Sequence, residues 1–313
     1  MASETRRTVL VAMVANLVIA IAKGVAGLVS GAAAMLAEAA HSVADTTNQV
    51  FLLTSLSLGS REPDDAHPFG YGRERFFWAF LAAVFIFVAG AIFSLAEGVF
   101  HLLRSHEAAG GAVAAFLVLG VSLVAESTSW LVAYRQTAAE ARGKGVSIRR
   151  LIRETSDPTT KTVLFEDSAA VVGIVLAFGG VGLRELTGSA VWDGGASIAI
   201  GIVLVAVAYR LGRDTRDLLL GRGATPEDRR KILEVLERRP EVDHVLEVLT
   251  THLGPDALLV GVRMDLATGL SSDQVEDLSA RIDREIRLAV PSVTQVFLDA
   301  TDRRAERPTG PTG

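Results

Sequence analysis

Six apolar windows, each almost free of charge, constrain this chain more than any other feature. They cover residues 8–30, 32–58, 76–103, 112–134, 162–183 and 190–209. A helix needs about 20 predominantly apolar residues to cross a bilayer, so each window is long enough to span. A soluble fold would have to bury six such helices in one shared core. After residue 212 the pattern reverses and charges become dense. The chain is 50% hydrophobic and 21% charged overall, so the segregation, not the average, divides it into a membrane part and a soluble part.

The expected architecture is an all-α bundle of six transmembrane helices over residues 1–214. A small α+β, ferredoxin-like domain of order αββαβ then covers 215–301, and a disordered tail covers 302–313. In the second part, Thr225-Pro226-Glu227-Asp228 reads as an N-cap, a proline at the first helical position and acids in the first turn. A helix to about Arg239 follows. Strands are expected over 243–252 and 257–266, joined by the turn Gly254-Pro255-Asp256. Ser271 or Ser272 caps a helix with Val275, Leu278, Ile282, Ile286 and Val290 at helical spacing, and 293–299 is a last strand.

Lysine and arginine set the orientation. Arg6, Arg7, Arg61, Arg73, Arg75, Arg135, Arg142, Lys144, Arg149, Arg150, Arg153, Lys161, Arg210, Arg213 and Arg216 fall on one side of the expected bundle. The other side has only Arg104 and Arg184. The positive-inside rule then puts both termini in the cytoplasm of a multi-pass protein, expected in the cell membrane. The basic stretch 141–153 is either a solvated loop or a segment lying on anionic headgroups. No cleaved signal peptide is expected at the N-terminus.

The composition also excludes functions. There is no cysteine, which removes disulfides, thiolate zinc sites, iron–sulfur clusters and cysteine nucleophiles. A net charge of −5 argues against a nucleic-acid partner.

An ionisable group in mid-span costs about 2.5–3.5 kcal/mol on the insertion scale and therefore marks function. His41 and Asp45 stand four residues apart in the second window, on one helical face. Asp167, with Glu166 beside it, lies near the start of the fifth. Imidazole and carboxylate together suit a borderline divalent metal such as zinc, the alternative being a hydrogen-bonded packing pair. Glu38 shares roughly the face of His41. Asn16 and Asn48 read as interhelical packing groups, and Lys23, Glu97 and Glu126 as internally paired or snorkelling.

The second window and the loop after it then read as one unit. Glu38, His41, Ser42 and Asp45 are followed by His67-Pro68-Phe69-Gly70-Tyr71-Gly72, and Glu166-Asp167-Ser168 stands in the fifth window. In order and spacing this resembles the cation diffusion facilitator family of divalent-metal transporters, over essentially the whole chain. The resemblance implies a homodimer in a lipid bilayer that exports zinc or related metals from the cytoplasm in exchange for protons. It implies a transport site at His41, Asp45 and Asp167, and a tail that regulates and dimerises. Metal and protons are substrates; no cofactor and no enzymatic activity are implied.

Two departures stand out. Val163 occupies the position, four before Asp167, where many relatives carry a ligand. Glu166 is about 100° further round the helix, so it would complete the site only through local unwinding, with water as the other candidate. In the loop, Asp64 and His67 fit a metal site, but Tyr71 stands where relatives place the second histidine. The loop is therefore read as mainly structural. His244, His252, Asp265 and Asp299 in the tail form no obvious cluster. The competing readings are a manganese or iron transporter of the same fold, a membrane-anchored metal sensor or scaffold, and an intramembrane acid–base enzyme. Against the last, no HExxH or GxSxG accompanies the acids.

Overall fold

The computed structural model describes residues 2–104 and 112–301, with side chains from Met13 onward except Ala15. The expected disordered tail at 302–313 lies outside the described residues. The chain divides into two compact units.

The first unit is helical. Helix α1 runs Ala2–Ser30 and α2 runs Ala33–Gly59. The next long helix is interrupted: α3 (Glu74–Phe85) passes into a π-helical turn at Ile86–Ile92 and resumes as α4 (Phe93–Arg104). Then come α5 (Ala112–Gly143), the short α6 (Ile148–Glu154), α7 (Pro158–Thr187) and α8 (Val191–Leu219). Among the described residues, four helices are long and apolar enough to cross a membrane: Glu74–Arg104, Ala112–Gly143, Pro158–Thr187 and Val191–Leu219. Six were expected. Helix α2 falls short because polar residues from Glu38 to Gln49, among them His41, Asp45 and Asn48, interrupt its apolar run, and the apolar stretch described in α1 is only Asn16–Ser30.

Helix ends explain where the segments stop. Asp157 caps α7 by accepting from the Thr159 N–H, Pro158 occupies the first turn, and Gly188 closes the helix at φ 69°. Ser147 caps α6, a helix the sequence did not suggest because seven residues carry too little periodicity. Helix α5 continues past its apolar window to Gly143, through Arg135 and Arg142.

Small residues let the helices approach closely. A Cβ on Gly98 would stand 2.8 Å from the Gly194 carbonyl, and one on Gly201 would stand 2.7 Å from Leu95. Without a water-driven force between helices, such contacts carry much of the packing. Around them Ile86, Leu119, Ile174, Ile200 and Leu204 form the buried core.

The second unit joins the loop Leu58–Glu74 to the chain from Asp217 onward. Helix α9 (Pro226–Glu237) leads into β1 (Val242–Gly254), β2 (Ala257–Leu266), α10 (Ser272–Ala289) and β3 (Val293–Ala300). The sheet order is β1-β2-β3, with β1 antiparallel and β3 parallel to β2. The parallel pair requires a crossover, and α10 supplies it. The helical stripe Leu278, Ile282 and Ile286 packs on the inward positions Leu258, Val260, Val262 and Met264 of β2. The loop glycine Gly72 fits only because it lacks a side chain: a Cβ there would lie 2.6 Å from the Leu253 carbonyl.

Candidate functional site

Ionisable residues inside the first unit fall into two sets, those paired with an opposite charge from another segment and those that are not. Lys23 on α1 is fully buried and donates to Glu38 (3.1 Å) and Ser42 (2.8 Å) on α2. A Cβ at Gly173 of α7 would run into the Glu38 carboxylate, so α7 closes directly over this pair. Asp193 on α8 accepts from the backbone N–H groups of Ala33 and Ala34, which caps the start of α2. It also accepts from Arg184 and has His101 Nε2 at 3.3 Å. Lys161 pairs with Asp214 at 3.3 Å, and Arg75 with Asp157 at 3.0 Å. These contacts bind one helix to another.

The second set surrounds a cavity of about 140 Å³. Its wall includes Asp45, Asn48 and Gln49 of α2, Glu126 and Ser129 of α5, and Val163, Glu166 and Asp167 of α7. Asn16 of α1 completes it. Two carboxylate oxygens here, Asp45 Oδ1 and Glu166 Oε1, are buried and meet no hydrogen-bond donor among the described residues, and the two acids stand against each other. Leaving such a group unmet costs about 1–3 kcal/mol, more for a charge. Unmet acids facing a cavity are therefore set for a ligand that brings positive charge.

Each expected site residue can now be located. Asp45, Glu166 and Asp167 all stand on the cavity wall. His41 does not; it is 1% exposed, with Nε2 3.6 Å from Asp45 Oδ2, too long for a hydrogen bond, and both ring nitrogens unpartnered. The expected 100° separation of Glu166 and Asp167 has a simple outcome. Glu166 turns towards α2, where the Asn48 amide donates to it, and Asp167 turns towards α5, where Ser129 donates to it at 2.9 Å. Both line the cavity from an unbroken helix. Val163, one turn before Asp167, does face the cavity but offers it no donor atom. Among the described residues, no three His, Asp or Glu side chains converge as a ready-made metal cage.

Asn48, read from sequence as a packing residue, proves to orient Glu166. Glu126, read as paired or snorkelling, proves to be a cavity acid. A charge in the middle of an apolar window was the available signal for Glu126. Which neighbour it faced was not visible, because that depends on α5 lying against α7 and α1.

The loop pair Asp64 and His67 is exposed, and Asp64 is fully engaged in shaping the turn. It accepts from the Tyr71 hydroxyl at 2.6 Å and from the His67 N–H at 2.7 Å. The Tyr71 hydrogen bond, then that from His67, hold the Asp64 carboxyl below the usual range. The rings of His67 and Tyr71 lie 4.2 Å apart, and Arg61 stands over Tyr71. In the tail, His244 pairs across the sheet with Asp265, while His252 sits at the far end of β1 opposite Leu258.

Comparison with known proteins sets this geometry in a family. The model of the cation efflux transmembrane domain matches residues 9–220. A relative from Xenopus laevis, "Proton-coupled zinc antiporter SLC30A9, mitochondrial", is 35% identical over 210 residues, 67% of this chain. That stretch is 37% of the relative, so the chain spans little more than a third of its length. "Manganese efflux system protein MneP" of Bacillus subtilis is 23% identical over 95% of this chain and 97% of its own. Among solved structures, a nickel form of the MamM CTD matches 25% of this chain and 99% of its own, at 14% identity and a TM-score of 0.24. With the family model spanning well over half of its residues, the chain is an integral membrane protein belonging to the cation efflux family, the cation diffusion facilitators.

Proposed function

We propose that the chain is a secondary transporter that exports divalent metal, zinc foremost, from the cytoplasm in exchange for protons. The observation that carries this reading is the cavity within the helical unit where Asp45 and Glu166 present unpartnered carboxylate oxygens beside Asp167. A carboxylate must be deprotonated to hold a metal, so binding and proton release are coupled by the site's own chemistry. His41, against Asp45, is the imidazole placed to pass a proton to or from the site. The activity is transport, with metal as cargo and no chemical conversion.

The bundle crosses the membrane six times in this reading. At 1.5 Å per residue the 27 residues of α2 reach about 40 Å, beyond the roughly 30 Å hydrocarbon core, despite their buried polar groups. Both termini then lie on the lysine- and arginine-rich cytoplasmic side, in the cell membrane. A smaller space of about 20 Å³, lined by Ser55, Arg75, Thr159 and Thr162, shares Asn48, Leu52 and Val163 with the acid cavity. It leads from the loop ends of α2, α3 and α7 and is the cytoplasmic way in. The tail dimerises two copies.

One observation favours a second selectivity. The cavity wall offers oxygen donors from carboxylates, amides and a hydroxyl, and oxygen-rich sites suit manganese better than imidazole-rich ones do. The relative matched along almost its whole length is named for manganese efflux.

The test is metal flux into proteoliposomes with an enclosed indicator, under an imposed pH gradient, for zinc and manganese separately. Wild type should move metal in proportion to the gradient, and Asp45→Ala should reduce flux to that of empty vesicles. Undiminished flux in Asp45→Ala would remove the cavity from the mechanism.

A further inference from the structure

Resting on the transport reading, we infer that Glu126 of α5 is a cargo ligand, adding a carboxylate from a third helix to those of α2 and α7. Three observations converge. Val163 faces the cavity with an aliphatic side chain, so α7 offers it donors from Glu166 and Asp167 alone. Glu126 lines that same cavity, is 9% exposed, and forms no hydrogen bond or ion pair with the described residues. The nearby buried cation is already committed, since the Lys23 ammonium donates to Glu38 and Ser42. A carboxylate inside a bundle without a cation in direct contact is costly and therefore points to function.

The size of the cavity fits this role. The roughly 140 Å³ exceeds by several-fold the roughly 10–15 Å³ that one water requires. A divalent ion that keeps part of its hydration shell occupies such a space, with acids on α2, α5 and α7 around it. Ser129, one turn beyond Glu126 on α5, already holds Asp167, so α5 and α7 meet at this level. Glu126 thereby shifts the donor set towards oxygen and becomes the residue that decides between manganese and zinc.

The experiment uses the full chain in detergent. Affinities for manganese, zinc and cobalt are measured by indicator competition at fixed pH for wild type, Asp45→Ala, Glu126→Gln, Glu126→His and Glu97→Gln. Glu97 lies at a different cavity and serves as the control. Glu126→Gln should weaken manganese binding about tenfold or more, while Glu97→Gln stays within about twofold of wild type. Glu126→His should recover zinc but not manganese affinity, and should move the visible absorption of bound cobalt, which reports its ligands. That recovery also shows that the Glu126→His protein folds, and thermal unfolding of each other variant checks the same. Wild-type affinity in Glu126→Gln, or an unmoved cobalt spectrum in Glu126→His, would overturn the inference. If Asp45→Ala loses binding in that case, the transport site stands and only the role of Glu126 falls. If Asp45→Ala also binds as wild type does, both readings fall together.

Discussion

The two units of this protein treat polarity in opposite ways. The helical unit buries Lys23, Glu38, His41, Asp45, Glu126, Lys161, Glu166, Arg184 and Asp193. Among the described residues of the other unit, the one buried polar side chain is His252. The tail is thus an ordinary amphipathic sandwich of helix on sheet, stabilised by apolar area. The bundle cannot gain that way where lipid surrounds it, and it uses ion pairs between helices instead. The contrast separates structural charge from functional charge. Lys23 with Glu38, Arg184 with Asp193 and Lys161 with Asp214 are paired. The acids at the cavity are the buried charges that these pairings leave over.

If this division is right, breaking a bundle pair should cost at least as much as emptying part of the tail's core. Lys23→Met leaves Glu38 buried without its cation and should destabilise the protein by about 3–5 kcal/mol, read from thermal unfolding in detergent. The double variant Lys23→Met with Glu38→Gln should recover much of that loss. A Lys23→Met protein as stable as wild type would erase the distinction between the two units.

In the tail the corresponding damage is a cavity. Ile282→Ala removes a fully buried side chain between α10 and the sheet and should cost about 2–5 kcal/mol. Hydrogen exchange should show the loss in β1, β2 and β3, with the helices α7 and α8 unchanged. Exchange rising equally in both units would mean that they unfold as one.

Smaller again is the capping box at the start of α10. Ser271 accepts from the Gln274 N–H while the Gln274 side chain accepts from the Ser271 N–H. Ser271→Ala should cost about 1 kcal/mol, with faster exchange confined to the first turn of that helix.

The slightest expected effect is a pH slope. Burial, then the nearby Arg222 charge, holds the His252 imidazole below its ordinary value of 6.5. The folded tail resists a proton that the unfolded chain accepts. Stability at this residue is therefore full above pH 6.5 and is lost as pH falls from there towards the folded value. His252→Gln should flatten that slope in denaturant titrations followed by β1 hydrogen exchange. An unchanged slope would assign it to other groups.

Much of the fold was legible because its signals are local. Thr225, Pro226 and Ser271 fix helix starts through hydrogen bonds within one turn, and the structure begins α9 and α10 there. The stripe Leu278, Ile282 and Ile286 needs only the helical period to be read as a core face. The helix α6 and the π-helical turn at Ile86–Ile92 were invisible, since neither has a pattern longer than two turns. Asp45 and Asp167 were legible as site candidates because a mid-span charge needs a reason.

The sequence by itself determined which segments are apolar, where helices begin, and which residues are too polar for their surroundings, since each depends on neighbours along the chain. Only the tertiary structure decided which of those polar residues meet. It turned Glu166 towards α2 and Asp167 towards α5, set His41 off the cavity wall, and brought Glu126 onto it. The physical reason is that a helix fixes the angle between its own side chains, but the neighbour each side chain faces is fixed by packing between helices distant in sequence.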